Sequence, residues 1–368
     1  MARVVLERAT VDDDAALRRL LAGNPMDGPI RVAFEREPSY FGAVRVQGPF
    51  CQVILARDLD TGEPVAVGAR AIKPVFVNGR PRDVGYLSDL RVLPAYRGRT
   101  VLARGYRLIR DLHADGRTDL YYTVIAAENA AALAALTRGR AGLPAYRDLG
   151  GFVSPAIVLG RRKPALHGGV EIVPGTDARL DDIVGCLNEH GRAKQFAPVY
   201  RREDFGDGGR FPGFRVEDFT LALRGGRVVG ALGRWDQRAF KQTRVVGYRG
   251  PLRLLRPFVN AGAPVLGWPR FPRPGEALAS FHAAFLAVEG NDVGVFGALL
   301  RHVYNAAAGG SHAYMVVGLH ERDPLTAALD GYRCAPYRGR LFCVHFDDGA
   351  AAYGVLDGRV PHVEVATL

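Results

Sequence analysis

Lysine is nearly missing from this chain of 368 residues. Lys73, Lys163, Lys194 and Lys241 are the only four, so 45 of the 49 basic residues are arginine. Against 38 acidic residues the formal net charge is +11, which favours anionic partners. The arginines are scattered along the whole chain and form no dense run interleaved with aromatics, which argues against nucleic acid. A cofactor's phosphates, or a solvated surface simply rich in arginine, remain. Cysteine is scarce too: Cys51, Cys186, Cys334 and Cys343 contain no C-x-x-C, and the nine histidines contain no H-x-H or H-x-x-x-H pair. Zinc-ligand spacing is therefore absent, no metal is expected, and the thiols read as free in a reducing cytoplasm. No apolar run approaches the roughly 20 residues of a membrane helix, so a soluble chain with no membrane partner is expected. G-x-S-x-G and P-loop patterns are missing as well.

What is present is enough apolar residue, 48%, for two cores, and the length exceeds what one core usually serves. Arg161 to Gly169 breaks the hydrophobic periodicity, and a new strand-like start follows at Val170. That restart resembles the beginning of the chain. Val5 to Thr10 leads into a helical Asp12 to Leu21, and Glu171 to Thr176 leads into a helical Leu180 to His190. Each half continues with a meander, Cys51 to Ala56 and Val65 to Val77 in one, Leu221 to Leu223 and Val228 to Trp235 in the other. Asn78-Gly79 and Gly225-Gly226 supply turns of the primed hairpin kind. The expected organisation is residues 1-160, a linker at 161-169, and a second unit over 170-368.

The richest stretch is Leu87 to Leu102. Leu90 and Val92 alternate with Asp89 and Arg91 as a strand, Pro94 ends it, and Val101, Leu102, Gly105, Leu108, Ile109 and Leu112 repeat with a helical period. The turn between them, Arg97-Gly98-Arg99-Thr100, is basic and lacks a carboxylate. With the free N–H groups of the first helical turn it suits a phosphate.

At these residues the chain resembles the GNAT superfamily of acyl-CoA-dependent N-acyltransferases, whose strand-turn-helix carries [Q/R]-x-x-G-x-[G/A] over the cofactor pyrophosphate. Arg97 takes the first position, while Thr100 and Leu102 stand where small residues are expected. Thr100 narrows the site, although its hydroxyl offers a cap or a phosphate bond. A second resemblance lies at Asn129-x-x-Ala132, after the strand Leu120 to Ala126, where the family lays the pantetheine arm. The family's general-acid tyrosine, seven residues after that asparagine, is here Leu136; the next tyrosine is Tyr146, ahead of a Gly-Gly-Phe ending. Pro336-Tyr337-Arg338 precedes the last strand of the second half in the same way, so Tyr146 reads equally as a packing residue.

The resemblance implies an α/β (α+β) fold of two GNAT-like domains, each a mixed, mainly antiparallel twisted sheet flanked by helices. It implies an N-acyltransferase moving an acyl group from acetyl-CoA, or another acyl-CoA, to a small-molecule or peptide amine. The cofactor would be held by Leu90, Arg91, Val92, Arg97, Gly98, Arg99, Thr100, Val101 and Asn129. Asp89 would act as base, directly or through water, and Tyr146 would protonate the thiolate. Asp89 equally reads as a carboxylate paired with Arg91 or Arg82, Glu35 and Glu37 as a solvated face of the acceptor wall, and His113 as a surface residue. In the second half, Glu289 and Asp292 stand where phosphate would have to sit. Gly250 to Gly275, rich in proline, glycine and arginine, reads as a lid or interdomain clasp. The alternative from another class is a non-catalytic GNAT-like module that binds a small molecule or a protein.

Overall fold

A computed structural model describes residues 3–98, 100–139, 142–206 and 208–368. In the first part of the chain lie strands β1 (Val4–Arg8), β2 (Ile30–Glu35), β3 (Phe50–Asp58), β4 (Pro64–Val77), β5 (Arg80–Val92), β6 (Tyr121–Ala126), β7 (Ala145–Val153) and β8 (Ala156–Val158). After them come β9 (Glu171–Pro174), β10 (Phe219–Arg224), β11 (Arg227–Trp235), β12 (Gln242–Tyr248), β13 (Ser280–Val288), β14 (Tyr314–Val316), β15 (Leu319–His320), β16 (Cys334–Ala335) and β17 (Arg338–His345). The helices are α1 (Asp14–Ala22), α2 (Tyr40–Val44), α3 (Val101–His113), α4 (Ala130–Thr137), α5 (Leu180–Gly191), α6 (Pro251–Leu266), α7 (Val293–Ala307) and α8 (Ala350–Gly354).

Two sheets repeat one plan. The first runs β1-β3-β4-β5-β6-β17-β7-β15 and the second, read from its opposite edge, β9-β10-β11-β13-β14-β8-β16. Pairing is antiparallel except at β5–β6 and β13–β14, which occupy equivalent places. The expected hairpin turns form at Asn78-Gly79 and Gly225-Gly226, all four residues with positive φ.

The sheets exchange strands. β17 lies between β6 and β7 of the first sheet, and β8 lies between β14 and β16 of the second. The run from Ala145 to Val158 is broken at Ser154-Pro155, between β7 and β8, and the chain crosses there to the other sheet. Alternation marks a strand as half-buried without naming its partner, so the exchange left no trace in the pattern. A third, two-stranded ribbon pairs β2 with β12 and ties the halves again.

Each sheet packs its own core. On the first, Tyr106 and Ile109 of α3 meet Tyr121, Ile125, Phe342 and Val344. On the second, Phe205, Phe211, Phe214, Phe219, Trp235 and Phe285 form a single aromatic cluster. Gly250 to Gly275, read from the sequence as a lid or interdomain clasp, is largely the helix α6.

Candidate functional site

The site is built around an interruption in β5. Val67 faces Arg91 and Ala69 faces Ser88, so Asp89 and Leu90 together oppose Gly68 and make a β-bulge, with Asp89 at φ +55°. β5 pairs with β6 only at Gly85–Tyr121 and Tyr86–Tyr122, and the Thr123 hydroxyl adds a bond of 2.8 Å to the Leu87 carbonyl. Past that point, among the described residues, the two strands no longer pair. A bulged strand bends away from its neighbour, and the result is a notch whose β5 edge, Ser88 to Val92, offers backbone groups to an extended ligand.

The notch opens toward the basic turn. Gly98 has φ +72°, and a Cβ built there would meet nothing within 4 Å, so the space above it is free while its backbone excludes ordinary side chains. Thr100 makes no side-chain cap to α3, whose first turn from Val101 carries no acidic residue. Its leading N–H groups therefore point out uncapped. Arg97 folds back instead, its Nε donating to the Val92 carbonyl at 3.0 Å and its Nη2 to Asn24 Oδ1 at 3.3 Å. Arg91 is also local, bonding the Leu90 carbonyl. Arg99 lies outside the described residues. Asn129 is the N-cap of α4, accepting from the Ala132 N–H at 3.0 Å.

The two candidate proton carriers are both engaged. Asp89 takes Arg36 Nη2 on both oxygens at 2.7 and 2.8 Å and the Tyr40 hydroxyl at 2.9 Å, rather than Arg91 or Arg82. Burial alone would raise its pKa, but Arg36 and Tyr40 hold it below the usual carboxylate range. Tyr146 sits on β7 and shares a hydrogen bond with Tyr106 of α3, its ring edge-on to Phe342. Burial, with the Tyr106 phenol beside it, drives its pKa well above normal.

Other expectations change. His113 is buried, its Nδ1 2.8 Å from the Tyr121 hydroxyl and its Nε2 3.0 Å from Asp348, because the last turn of α3 lies under the segment that follows β17. Glu35 and Glu37 are not one solvated face: Glu35 is buried on β2 and paired with Arg244 at 2.7 Å, while Glu37, partly exposed, pairs with Arg18. Sequence reasoning missed two lysines near the centre. Lys241 is partly buried, donates to the Leu368 main-chain oxygen, and is pushed down to about 7 by burial and then Arg36, with Asp89 opposing. Lys73 reaches Thr367 Oγ1 at 3.0 Å and is likewise lowered to about 7 by burial and then Arg210. Their only signal in the sequence is that lysine is rare.

The second half repeats the notch and closes it. Ala231 faces Ala287 and Gly233 faces Ala284, so Phe285 and Leu286 oppose Leu232 in the same bulge, with Phe285 at φ +54°. There Asp89's counterpart is a phenylalanine in the aromatic core. The Phe285 N–H donates to Glu364 Oε2 at 2.7 Å, and Gly318, just after β14, lies so near the 363–368 segment that a Cβ would sit 2.4 Å from that of Val365. The chain thus fills its own second notch. Asp292 then caps α7, accepting from the Gly294 and Val295 N–H groups, so a carboxylate occupies the position a phosphate would need.

No protein-family model and no curated protein matches the chain. Solved structures do. A fungal multi-domain GH3 β-N-acetylglucosaminidase with a GCN5-related glucosamine N-acetyltransferase region superposes with a TM-score of 0.60 at 15% identity, covering 93% of this chain and 38% of that one. Saccharomyces cerevisiae N-myristoyltransferase with bound myristoyl-CoA gives 0.60 at 10% identity, over 94% of this chain and 79% of that one. An Enterococcus faecalis V583 protein of unknown function, described as a probable N-acyltransferase, gives 0.50 at 10%, over 92% and 72%. The present chain thus spans well under half of the fungal enzyme. At these identities the likeness is one of architecture: the chain has the GNAT-like fold, two mixed, mainly antiparallel sheets with flanking helices in tandem.

Proposed function

We propose that the protein is an N-acyltransferase using an acyl-CoA, with residues 1–160 holding the cofactor and 170–368 a degenerate copy joined through 161–169. The observation that carries this is the asymmetry between the notches. One is bordered by a stretch of β5 that has parted from β6, with Leu90 exposed, and by the uncapped, acid-free start of α3; the other is filled by Glu364 and Val365 and ends on a capping carboxylate. In this reading the N–H groups at Gly98 to Val101 receive the pyrophosphate, and Leu90 to Val92 align the pantetheine and thioester. The amine attacks the thioester carbonyl, the C–S bond breaks, and the amine proton leaves through Asp89 or a water on it. Tyr146 would return a proton to the thiolate. The solved neighbours named for N-acyl transfer and for bound myristoyl-CoA support the reaction class.

The test is a thermal melt with and without millimolar acetyl-CoA. Ligand at about 100 times its dissociation constant adds roughly 2.7 kcal/mol to the folded state. The expected result is an upward shift that Gly98→Trp abolishes, since a side chain at φ +72° enters the phosphate space. No shift with acetyl-CoA, CoA or longer acyl-CoAs overturns the cofactor assignment. A second reading, a GNAT-like module that binds without catalysing, is favoured by the way Arg36, Tyr40 and Tyr106 occupy the candidate base and acid. It predicts acyl-CoA binding with no turnover on any amine.

A further inference from the structure

Helix α6 carries apolar residues on a face that nothing covers among the described residues. Leu254, Phe258 and Val265 are 73%, 76% and 77% exposed, Leu255 beside them 52%, and the exposed Ala261 completes the stripe at helical spacing. The other face, through Leu252, Val259 and the buried Ala263, is turned inward, and Arg256 lies with its guanidinium 5.3 Å from the Tyr248 ring of β12. A helix apolar on both faces is normally buried on both. The exposed patch on α6 therefore marks a contact surface.

The charge around the stripe says what it contacts. From Arg238 to Gly275 the chain contains no Asp or Glu and eight basic residues. Several are engaged within the molecule, such as Arg244 with Glu35 and Arg249 with Asp27. Arg253, Arg270 and Arg273 are exposed and, among the described residues, have no ion-pair partner. Just past the helix, the half-exposed Trp268 stacks under Arg333, with the Arg333 carbon 4.7 Å from the ring centre. Beside it opens a cleft of about 630 Å³ lined by Arg161, Arg162, Trp268 and Arg270, with no acidic residue in its wall.

We propose that α6 and the Gly267–Arg273 segment dock the protein on an anionic phospholipid bilayer. Leu254, Leu255, Phe258 and Val265 enter the acyl boundary while the free arginines and the cleft meet lipid phosphates. A second copy of this chain is a poorer occupant, because a two-fold contact would bring together two copies of a segment with eight basic residues and no acid to offset them. An acyl tail is poorer still, since the stripe is the convex outside of a helix and not a lined cavity. Such docking needs no spanning helix; among the described residues no helix is long and apolar enough to cross a membrane. The proposal goes beyond the sequence expectation of no membrane partner and stands independently of the acyl-transfer reading.

The experiment is co-sedimentation of the full chain with phosphatidylcholine vesicles and with the same vesicles containing phosphatidylglycerol. Partitioning should be at least about tenfold stronger onto the anionic vesicles and weaken with salt. The double substitution Leu254→Ser with Phe258→Ser should reduce it roughly tenfold or more without lowering the melting temperature, because both residues are exposed. Three results overturn the proposal. One is equal partitioning onto both vesicle types. Another is anionic binding that survives the double substitution, which is charge adsorption alone. The third is a dimer in sedimentation equilibrium that the double substitution dissociates, with no vesicle binding, which gives the stripe to a second copy.

Discussion

Asp89 meets a guanidinium and a phenol before any substrate arrives, and this sets what its replacement should do. Arg36 is itself buried, and its Nη1 has no hydrogen-bond partner among the described residues, so the carboxylate is its main compensation. Asp89→Asn should cost about 3 kcal/mol in urea unfolding, the penalty for orphaning a buried charge, whereas Tyr40→Phe should cost about 1 kcal/mol. If Asp89 also takes the amine proton, turnover in Asp89→Asn should fall by roughly a hundredfold or more while acetyl-CoA binding persists. Loss of stability with unchanged turnover would leave it a brace.

Lys73 and Lys241 give a second prediction at this scale. Both are lowered to about 7 from an unfolded value of 10.5, so between those limits the unfolded chain binds more protons than the folded one. Their contribution to stability therefore rises with pH from about 7 to about 10 and is lost below 7, where the folded protein must carry both charges in sites that disfavour them. Urea midpoints across that range should climb, and Lys73→Met together with Lys241→Met should flatten the climb. A slope that survives the double substitution would assign it to other groups. None of this was legible in the sequence. A lysine among apolar residues looks the same whether its tip reaches water or not, and Asp89's partner Arg36 lies 53 positions away.

Among the elements, those whose residues alternate or recur on one stripe were read closely. α3 and the paired hairpin turns are where Ile109, Asn78-Gly79 and Gly225-Gly226 place them, and β5 is a strand as its pattern says, but the bulge at Asp89-Leu90 interrupts the alternation and leaves Leu90 exposed. α6 was not, because Pro257, Gly262 and Pro264 interrupt it and each argues against a helix on local grounds. The closing of the second notch was also hidden, since it depends on Glu364 reaching a backbone amide 79 residues earlier. That contact is testable. Glu364 accepts from the Phe285 and Ala366 N–H groups, and burial raises its pKa. Glu364→Ala should cost about 2 kcal/mol by stranding those donors, yet leave acetyl-CoA affinity unchanged if the cofactor belongs to the first notch. Weaker acetyl-CoA binding at matched folded fraction would move the cofactor toward the second.

At the scale of the whole molecule the exchange of strands decides how the protein unfolds. The repeat of strand, helix, meander and turn was visible from Val5 and Glu171 onward, and it suggested two units each closing its own sheet. The structure instead threads β17 between β6 and β7, with Phe342 and Val344 packed in the first core, and threads β8 between β14 and β16, with Ile157 in the second. A half cut within 161–169 therefore lacks an interior strand, and the gap exposes ladder groups on both sides as well as apolar side chains. Calorimetry of the intact chain should show one transition with equal calorimetric and van't Hoff enthalpies. Either half expressed alone should be molten or aggregated, and the two expressed together should recover the single transition, because the crossing at Ser154-Pro155 lies within one fragment and leaves each strand free to reach the other sheet. Two separate transitions, or a half that folds alone with a cooperative melt, would show that β8 and β17 are dispensable ornaments of their sheets and not the joints that make them one folding unit.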